Sequence, residues 1–260
     1  MNIASVVQQE PVAVAAVLRH NIEFEYVCCM YKNKKIGLII PAYNEENSIA
    51  SVIGDVPDCV DIIVVVDNNS NDSTAEIARL SGAKVIFQPL RGYGNACLKG
   101  MECLAHENVD IVVFLDGDYS DHPDELPVLI EPIISDNYEM VIGSRTLGNK
   151  EKGAMLPQAI FGNWLATTLI RLIWGYSFTD LGPFRAITSH ALDSLKMKDR
   201  NYGWTVEMQI KAAQHKLRCT EIPVSYRKRI GESKITGTVN GTIKASYKIL
   251  WTIFRYAAWK

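Results

Sequence analysis

The chain has 260 residues, of which 48% are apolar, and its 27 Lys and Arg residues nearly balance 29 Asp and Glu residues. Such totals are typical of a globular domain, since disordered chains contain fewer apolar residues and membrane bundles contain many more. The net charge of −2 excludes a uniformly basic nucleic-acid binder, so no nucleic-acid partner is expected. Residues 211–260 nevertheless carry 11 basic and 2 acidic residues. A basic end of this kind favours contact with phosphates or with an anionic membrane surface.

Cysteine usage and hydropathy bear on the compartment in which the protein works. The six cysteines form no CxxC pair and no Cys/His cluster at zinc spacing, so neither a disulfide framework nor a structural zinc site is predicted. No apolar run reaches the roughly 18 residues that a membrane-spanning helix needs. The first residues, Met-Asn-Ile-Ala-Ser, lack the basic region of a secretory signal. We therefore expect a cytoplasmic protein.

Short β-branched runs alternate with helical patterns through the first half of the chain. The runs predict buried strands at residues 36–40, 62–66, 84–87, 110–115 and 139–142, and the helical patterns lie at 46–53, 73–80, 95–105 and 124–134. This alternation predicts an α/β fold with a mostly parallel central sheet and helices on both faces. We expect an N-terminal appendage at residues 1–35, one domain at 36–235 and a C-terminal amphipathic helix at 236–260.

The strict alternation ends after residue 142. Beyond it, the pattern predicts helices at 158–174 and 202–214, a strand at 219–224 and a final helix at 239–259. The final helix has an apolar face formed by Ile243, Tyr247, Leu250 and Phe254, which is typical of a helix lying on a membrane surface. Packing of this helix against the domain is the alternative.

Oxygen-rich sequences follow three of the predicted strands. They are Pro41-Ala-Tyr-Asn-Glu45 after the first strand, the turn that begins at Asp67 after the second, and Asp116-Gly-Asp118 after the fourth. The carboxyl ends of parallel strands meet at one edge of a sheet, and ligands of such sheets bind there. The three segments are therefore predicted to form one site.

The Asp116-Gly-Asp118 segment has the clearest chemistry of the three. Two carboxylates one residue apart are able to address one cation, and the glycine lets a ligand approach the backbone. Since Mg²⁺ prefers one or two carboxylates together with substrate phosphates, Asp116 and Asp118 predict a Mg²⁺ or Mn²⁺ site bridging to a nucleotide diphosphate. A solvated turn is the alternative, because Asp and Gly are common turn residues.

Asp67 lies where a dinucleotide-binding fold would hold a ribose. An NAD-dependent oxidoreductase also needs G-x-G-x-x-G after the first strand, and the sequence there is Pro-Ala-Tyr-Asn-Glu. No Walker A motif occurs in the sequence either. These absences disfavour an NAD enzyme and leave Asp67 as a candidate contact to a different nucleotide.

Two further segments have features of phosphate sites. Arg91-Gly-Tyr-Gly94 lies between a predicted strand and helix, where glycines allow close approach and a helix N-terminus favours anions. Residues 227–234, Arg-Lys-Arg-Ile-Gly-Glu-Ser-Lys, concentrate four cations around a glycine, and such side chains suit phosphate oxygens. A plain loop and a solvated face are the respective alternatives.

The ordered set of motifs resembles glycosyltransferase family 2. The resemblance lies in Pro41-Ala-Tyr-Asn-Glu45, the Asp67 turn, Arg91-Gly-Tyr-Gly94, Asp116-Gly-Asp118, Gly143-Ser-Arg145 and Arg229-Ile-Gly-Glu-Ser-Lys234. Within the family, the chain is most similar to the dolichyl-phosphate mannosyltransferase and polyprenyl-phosphate glycosyltransferase branch. The resemblance implies a GT-A fold, a nucleotide-diphosphate sugar donor, a divalent metal and inversion at the anomeric carbon.

The resemblance also implies roles for single residues. It implies that the nucleotide-sugar pocket is lined by Pro41, Tyr43, Glu45, Asp67, Arg91, Gly92 and Arg145, with Asp67 on the base. Asp116 and Asp118 would hold ribose, diphosphate and metal, with Asp118 the expected direct ligand. Arg229, Ser233 and Lys234 would close over the donor and acceptor phosphates.

Asp180 matches the acceptor-side Asp that precedes Gly-Phe-Arg in members of the family. Here that segment reads Gly-Pro-Phe-Arg, and the turn after the second strand reads Asp-Asn-Asn where many members have Asp-Asp-Gly. These departures leave both GDP-mannose and UDP-glucose open as donors.

The expected reaction is an in-line displacement in which the metal and the basic loop, including Arg229 and Lys234, neutralise the departing nucleoside diphosphate. A polyprenyl or dolichyl phosphate acceptor is already anionic at pH 7 and needs no strong base. A hydroxyl acceptor would need Asp180 or Glu207 as a base, although Glu207 is equally able to pair with a basic neighbour on its helix. Peripheral contact with the cytoplasmic face of a membrane is expected, and a protein that binds nucleotide sugars without turnover is the alternative from another class.

Overall fold

A seven-stranded, mostly parallel sheet forms the centre of the protein in a computed structural model that describes residues 31–231 and 239–258. The strands are β1 (Ile36–Ala42), β2 (Ile62–Asp67), β3 (Lys84–Phe87), β4 (Ile111–Phe114), β5 (Met140–Ser144), β6 (Arg185–Thr188) and β7 (Cys219–Pro223). Their spatial order is β3-β2-β1-β4-β6-β5-β7. Strand β6 runs antiparallel to β4 and β5, and the other neighbouring pairs are parallel.

Helices cover both faces of this sheet. One face carries α1 (Ile49–Gly54), α2 (Thr74–Leu80) and α4 (Leu126–Ser135), the last preceded by a 3-10 turn at Pro123–Glu125. The other face carries α3 (Tyr93–Ala105), α5 (Pro157–Trp174), α6 (Ser189–Leu195), α7 (Trp204–Gln214) and α8 (Val239–Ala257). In β1, Leu38 and Ile40 pack into the first apolar layer and Ile39 into the second, as the two-residue period of a strand requires.

The α/β fold with helices on both faces is confirmed, and the elements predicted up to residue 142 lie within a few residues of the observed ones. The sequence pattern does not predict β6 or α6. The reason is Arg185, which begins β6 and is fully buried, although arginine is rarely found in a core. Its guanidinium donates to the carbonyl oxygens of Leu181, Gly182 and Thr205, and these bonds offset the cost of burying its charge.

Helix α8 packs against the domain through one face and leaves the other exposed. Ala245 and Ile253 are buried against α5 and α7. The opposite face exposes large side chains, namely Ile243, Tyr247, Trp251 and Phe254. Helix α8 therefore packs against the domain, and contact of its exposed face with a membrane stays a prediction. Among the described residues, no helix is long and apolar enough to cross a membrane.

The predicted division of the chain falls largely on residues that the structure does not describe. Residues 1–30, most of the predicted appendage, lie outside the described range, and so does the predicted boundary at residue 235. The division into appendage, domain and C-terminal helix stays a prediction.

Candidate active site

The loops that follow β1, β2 and β4 meet at one edge of the sheet, as the alternation predicts. The Asn68 amide donates to the Ala42 carbonyl over 2.8 Å, and the Glu45 amide donates to Thr74 Oγ1 over 2.8 Å. The Ser48 hydroxyl reaches the Gly117 carbonyl over 2.8 Å. These bonds join the first loop to both of the others, so the predicted segments form one contiguous surface.

Tyr43, Arg91 and Gly92 lie together on the β2 side of this surface. The Arg91 guanidinium lies 4.2 Å from the centre of the Tyr43 ring, and the Gly92 amide donates to Asn68 Oδ1 over 2.8 Å. Gly92 has φ 138° and lies so close to the Arg200 carbonyl and the Asn201 side chain that a Cβ atom would clash. The Asp67 carboxylate is buried and accepts the Ser70 amide over 3.1 Å. An aromatic ring, a cation and a carboxylate thus line this part of the edge.

The two carboxylates after β4 have different surroundings. Asp118 is buried, accepts the Ser120 hydroxyl over 2.6 Å and pairs with Arg229 Nη1 over 2.8 Å. Asp116 has a buried Oδ1 atom with no hydrogen-bond partner among the described residues. Burial and the neighbouring Asp118 carboxylate raise the pKa of Asp116 to about 7. Asp118 is therefore ion-paired, whereas Asp116, within residues 31–231 and 239–258, has only the longer-range attraction of Arg229 and Arg145.

Asp121 is a third buried carboxylate that the sequence analysis does not identify. Both of its carboxylate oxygens lie without hydrogen-bond partners within residues 31–231 and 239–258. Burial and the nearby Asp116 raise the pKa of Asp121 well above its ordinary value. The signal available in the sequence is the spacing of three acids in Asp116-Gly-Asp-Tyr-Ser-Asp121. Asp121 therefore adds a carboxylate to this site, and its negative charge would be offset by a cation.

Asp180 holds Arg145 in a two-pronged ion pair. Arg145 Nε and Nη2 lie 2.8 and 2.7 Å from the two carboxylate oxygens, and the Arg145 amide also donates to Asp180. Burial alone would raise the pKa of Asp180, but the Arg145 charge and hydrogen bonds hold it below the ordinary value. The Arg145 guanidinium in turn lies 5.0 Å from the centre of the Tyr226 ring. Asp180 therefore stays ionised and orients Arg145.

Glu207 lies apart from these residues, in the interior near α8. It pairs with Lys211 over 2.8 Å and accepts the Tyr256 hydroxyl over 2.6 Å. The Lys198 and Asp199 amides also donate to it. Glu207 does not line the cleft described next. Pairing with a basic neighbour, the alternative raised from the sequence, is the arrangement that the structure contains.

A cleft of about 680 Å³ opens beside Asp116. Its cationic wall consists of Arg145, Lys228 and Arg229, and three tyrosines line it as well, namely Tyr93, Tyr202 and Tyr226. Helices α5 and α8 supply the remaining sides, including Gln158, Asn163, Ala245 and Ile249. Ser233 and Lys234, predicted to close over phosphates, lie outside the described residues. Acidic and basic groups therefore face each other across a cavity large enough for a small ligand.

Buried carboxylates beside a basic cleft, at the carboxyl edge of a mostly parallel sheet with one reversed strand, are the features of a GT-A transferase. Comparison with known proteins defines the family. Residues 38–194 match the family model described as Glycosyl transferase family 2. The chain belongs to glycosyltransferase family 2, and it is a glycosyltransferase with the GT-A fold that its motifs imply.

Characterised relatives support the branch to which the motifs point. The undecaprenyl-phosphate mannosyltransferase of Micrococcus luteus is 29% identical over 80% of this chain and 90% of that protein. The UDP-N-acetylglucosamine–dolichyl-phosphate N-acetylglucosaminyltransferase of Methanococcus voltae is 32% identical over 74% of this chain and 85% of that protein. The resemblance to the dolichyl- and polyprenyl-phosphate branch is therefore confirmed.

The solved structure of another enzyme has the same fold. Glucosyl-3-phosphoglycerate synthase of Mycobacterium tuberculosis, crystallised with Mn²⁺, UDP-glucose and phosphoglyceric acid, is 25% identical to this chain. The match covers 86% of this chain and 80% of that one, with a TM-score of 0.68. That enzyme binds a divalent metal and a nucleotide sugar within this fold.

Proposed function

We propose that the protein is an inverting hexosyltransferase that moves a sugar from GDP-mannose or UDP-glucose to a polyprenyl or dolichyl phosphate. The observation that carries the proposal is the cleft lined by Asp116, whose Oδ1 atom is buried, and by Arg145, Lys228 and Arg229. A donor diphosphate and an acceptor phosphate are both anionic, and arginine forks suit their oxygens. The two relatives named for lipid-phosphate acceptors support the same choice.

The residues present fit a Mg²⁺ or Mn²⁺ ion. Among the described residues, Asp116 has one buried oxygen without a hydrogen-bond partner and Asp121 has two, and a cation offsets the cost of burying such charges. No group of three His, Cys, Asp or Glu side chains in the described residues is placed to hold a metal ion. Two carboxylates, Asp116 and Asp118, together with donor phosphate oxygens match what Mg²⁺ prefers. When bound, the ion supplies charge neutralisation for the departing diphosphate.

The side chains of this chain provide the other parts of an in-line displacement. Tyr43 and Arg91 offer a stacking surface on the nucleotide side, and Asp67 offers an acceptor for the base. Arg229, held by Asp118, lies where it is able to stabilise charge that develops on the leaving diphosphate. Arg145, held in one orientation by Asp180, is a preorganised contact for the attacking phosphate.

The surroundings of the two candidate bases favour a phosphate acceptor over a hydroxyl. Asp180 is ion-paired with Arg145, and its lowered pKa makes it a weak base. Glu207 is paired with Lys211 and Tyr256, and it does not line the cleft. A phosphate oxygen is ionised at neutral pH and attacks without a base, so this arrangement suits a lipid phosphate.

The exposed surface beside the cleft suits a lipid acceptor. Helix α5 exposes apolar side chains at Ile160, Phe161, Trp164 and Leu172, and α8 exposes Ile243, Tyr247, Trp251 and Phe254. Neither helix contains an acidic residue, and α8 carries Lys244, Lys248 and Arg255. Exposed aromatic residues next to cations are typical of helices that lie on anionic membrane surfaces. We therefore propose peripheral contact of this surface with the cytoplasmic face of a membrane.

A thermal-shift panel tests the donor and the metal. GDP-mannose, UDP-glucose and UDP-N-acetylglucosamine are each added with and without MnCl₂, and the melting temperature is followed. A ligand at 100 times its dissociation constant stabilises the fold by about 2.7 kcal/mol. We expect one nucleotide class to raise the melting temperature strongly and only with Mn²⁺. A panel without any shift, or a shift independent of Mn²⁺, would contradict the proposed site.

A hydroxyl acceptor is the second candidate, and the solved relative supports it. Glucosyl-3-phosphoglycerate synthase was crystallised with phosphoglyceric acid, a small phosphorylated molecule with a free hydroxyl. Such an acceptor would use the same cationic wall for its phosphate. Competition between a polyprenyl phosphate and 3-phosphoglycerate as acceptors separates the two candidates.

A further inference from the structure

The loop that carries Asp116 and Asp118 has its backbone held from outside at five consecutive carbonyl oxygens. The Gly117 carbonyl accepts from Ser48, and the Asp118 carbonyl accepts the Ile230 amide over 2.9 Å. The carbonyls of residues 119, 120 and 121 all accept from one residue, Arg227. Four of these five bonds therefore come from residues 227–230, at the start of the basic segment.

Arg227 contacts this loop through both its guanidinium and its backbone amide. Its Nε atom donates to the Tyr119 carbonyl over 2.6 Å, and Nη2 donates to the Asp121 carbonyl over 3.2 Å. Its amide donates to the Ser120 carbonyl over 2.9 Å. The guanidinium also lies on the Tyr119 ring, 3.3 Å from its centre. A lysine would keep the charge but lose the planar fork and the stacking.

A second anchor fixes this pair to α1. The Tyr119 hydroxyl donates to Asp55 Oδ2 over 2.6 Å, and Arg227 Nη2 lies 3.7 Å from the same oxygen. Tyr119 has φ 63°, a conformation that non-glycine residues adopt only when their surroundings impose it. The contacts of Arg227 and Asp55 are the ones that impose it here.

We propose that Arg227 is a positioning residue that sets the affinity of the Asp116 and Asp118 carboxylates for the divalent cation. Arg227 does not line the cleft, and it acts through the backbone that presents both carboxylates. It also joins this loop to the segment carrying Arg229, so one residue links the proposed cation site to the phosphate-binding cations. The inference rests on the cation site of the proposed function.

The test compares wild-type protein with Arg227→Lys by titrating MnCl₂ in the presence of GDP or UDP and following the melting temperature. We expect the Mn²⁺ concentration at half-maximal stabilisation to rise at least tenfold in the variant. The melting temperature without Mn²⁺ should change by only a few degrees, because the lysine keeps the charge and most of the packing. A variant that fails to fold is replaced by Asp55→Ala, which removes only the outer anchor and should shift the midpoint in the same direction.

Arg218→Lys is the matched control. Arg218 also lies over a tyrosine, 5.4 Å from the centre of the Tyr138 ring, and donates to the Asp136 carbonyl over 3.0 Å. It lies next to the start of β7, at the opposite edge of the sheet. This variant should keep the wild-type Mn²⁺ midpoint.

Two outcomes would overturn the inference in distinguishable ways. A wild-type response to Mn²⁺ that Arg227→Lys reproduces at the same midpoint would show that Arg227 is merely structural, and the proposed function would stand. A wild-type protein that shows no response to Mn²⁺ with either nucleotide would remove the cation site, and the inference with it.

Discussion

Asp116 and Asp118 lie in one loop, but the groups that surround their carboxylates differ. Asp118 contacts Arg229 and Ser120, whereas Asp116 has a buried oxygen without a hydrogen-bond partner in the part of the chain that the structure describes, and its pKa is raised to about 7. A cation binding there compensates Asp116 and completes the set of charges around the loop. The sequence identifies this pair because both acids follow a buried apolar strand, at the sheet edge where ligands of such sheets bind. It does not identify Asp121, whose burial depends on how the loop folds back.

Asp118→Asn is expected to lower metal-dependent transfer at least about a hundredfold, because it removes a charged ligand and frees Arg229 from its partner. Initial rates over a range of MnCl₂ concentrations measure this effect. Asp58→Asn, a change at an exposed acid in the loop after α1, is the control and should leave the rate unchanged. Full metal-dependent turnover by Asp118→Asn would rule out the mechanism.

Glu207→Gln separates a structural from a catalytic role for that residue. Because Lys211 would be left as an unpaired buried charge, we expect a loss of unfolding free energy of about 3 kcal/mol at pH 7. The pKa of Glu207 lies below its ordinary value of 4.5, so its stabilising contribution is present above that pH and is lost as acid protonates the folded protein. Urea unfolding at pH 7 and at pH 4 should show the difference between variant and wild type shrinking in acid.

The activity of the same variant completes the comparison. The transfer rate per folded molecule should stay close to the wild-type value, since Glu207 does not line the cleft. A stable Glu207→Gln protein with a hundredfold lower rate would restore the catalytic role that the sequence left open.

Helices α5 and α8 each have one face packed on the domain and one face exposed to solvent. Each buries one side against the domain, through Ala166 and Ile170 in α5 and Ile253 in α8. Each also exposes large apolar residues on the other side. Periodicity predicted both helices, because an apolar stripe at helical spacing is visible in the sequence. It could not decide which stripe faces the core, since in α8 two apolar stripes compete.

The exposed faces of these helices predict a vesicle-binding phenotype. Trp164→Ser and Phe254→Ser should each weaken binding to phosphatidylglycerol vesicles about tenfold, because each removes an aromatic side chain worth roughly 1.5 to 3 kcal/mol when buried. Cosedimentation over a range of lipid concentrations measures the binding. The control is Leu80→Ser, since Leu80 is 81% exposed on the opposite face of the sheet. Equal loss in the control, or no binding by wild type, would argue against a membrane surface.

Seen as a whole, the molecule is an acidic sheet edge joined to a basic C-terminal part. The first half of the fold could be predicted from the sequence, because β1 and β4 are buried and their apolar runs are continuous, although the edge strand β3 exposes Lys84 and Phe87. The antiparallel strand β6 could not be predicted from the sequence, since it begins with the buried Arg185 and its pairing with β4 and β5 is set by tertiary contacts. The charged residues of the motifs could likewise be identified from the sequence. The ion pairs of Asp180 with Arg145 and of Glu207 with Lys211 could not be predicted from it.

The most direct test of the central claim is an acceptor competition with labelled donor. Wild-type protein, MnCl₂ and the donor identified by thermal shift are incubated with equal amounts of a short polyprenyl phosphate, the matching polyprenol and 3-phosphoglycerate. We predict Mn²⁺-dependent transfer to the polyprenyl phosphate alone, with inverted anomeric configuration in the product. Transfer to 3-phosphoglycerate or to the polyprenol, with the lipid phosphate left unmodified, would contradict the proposed function.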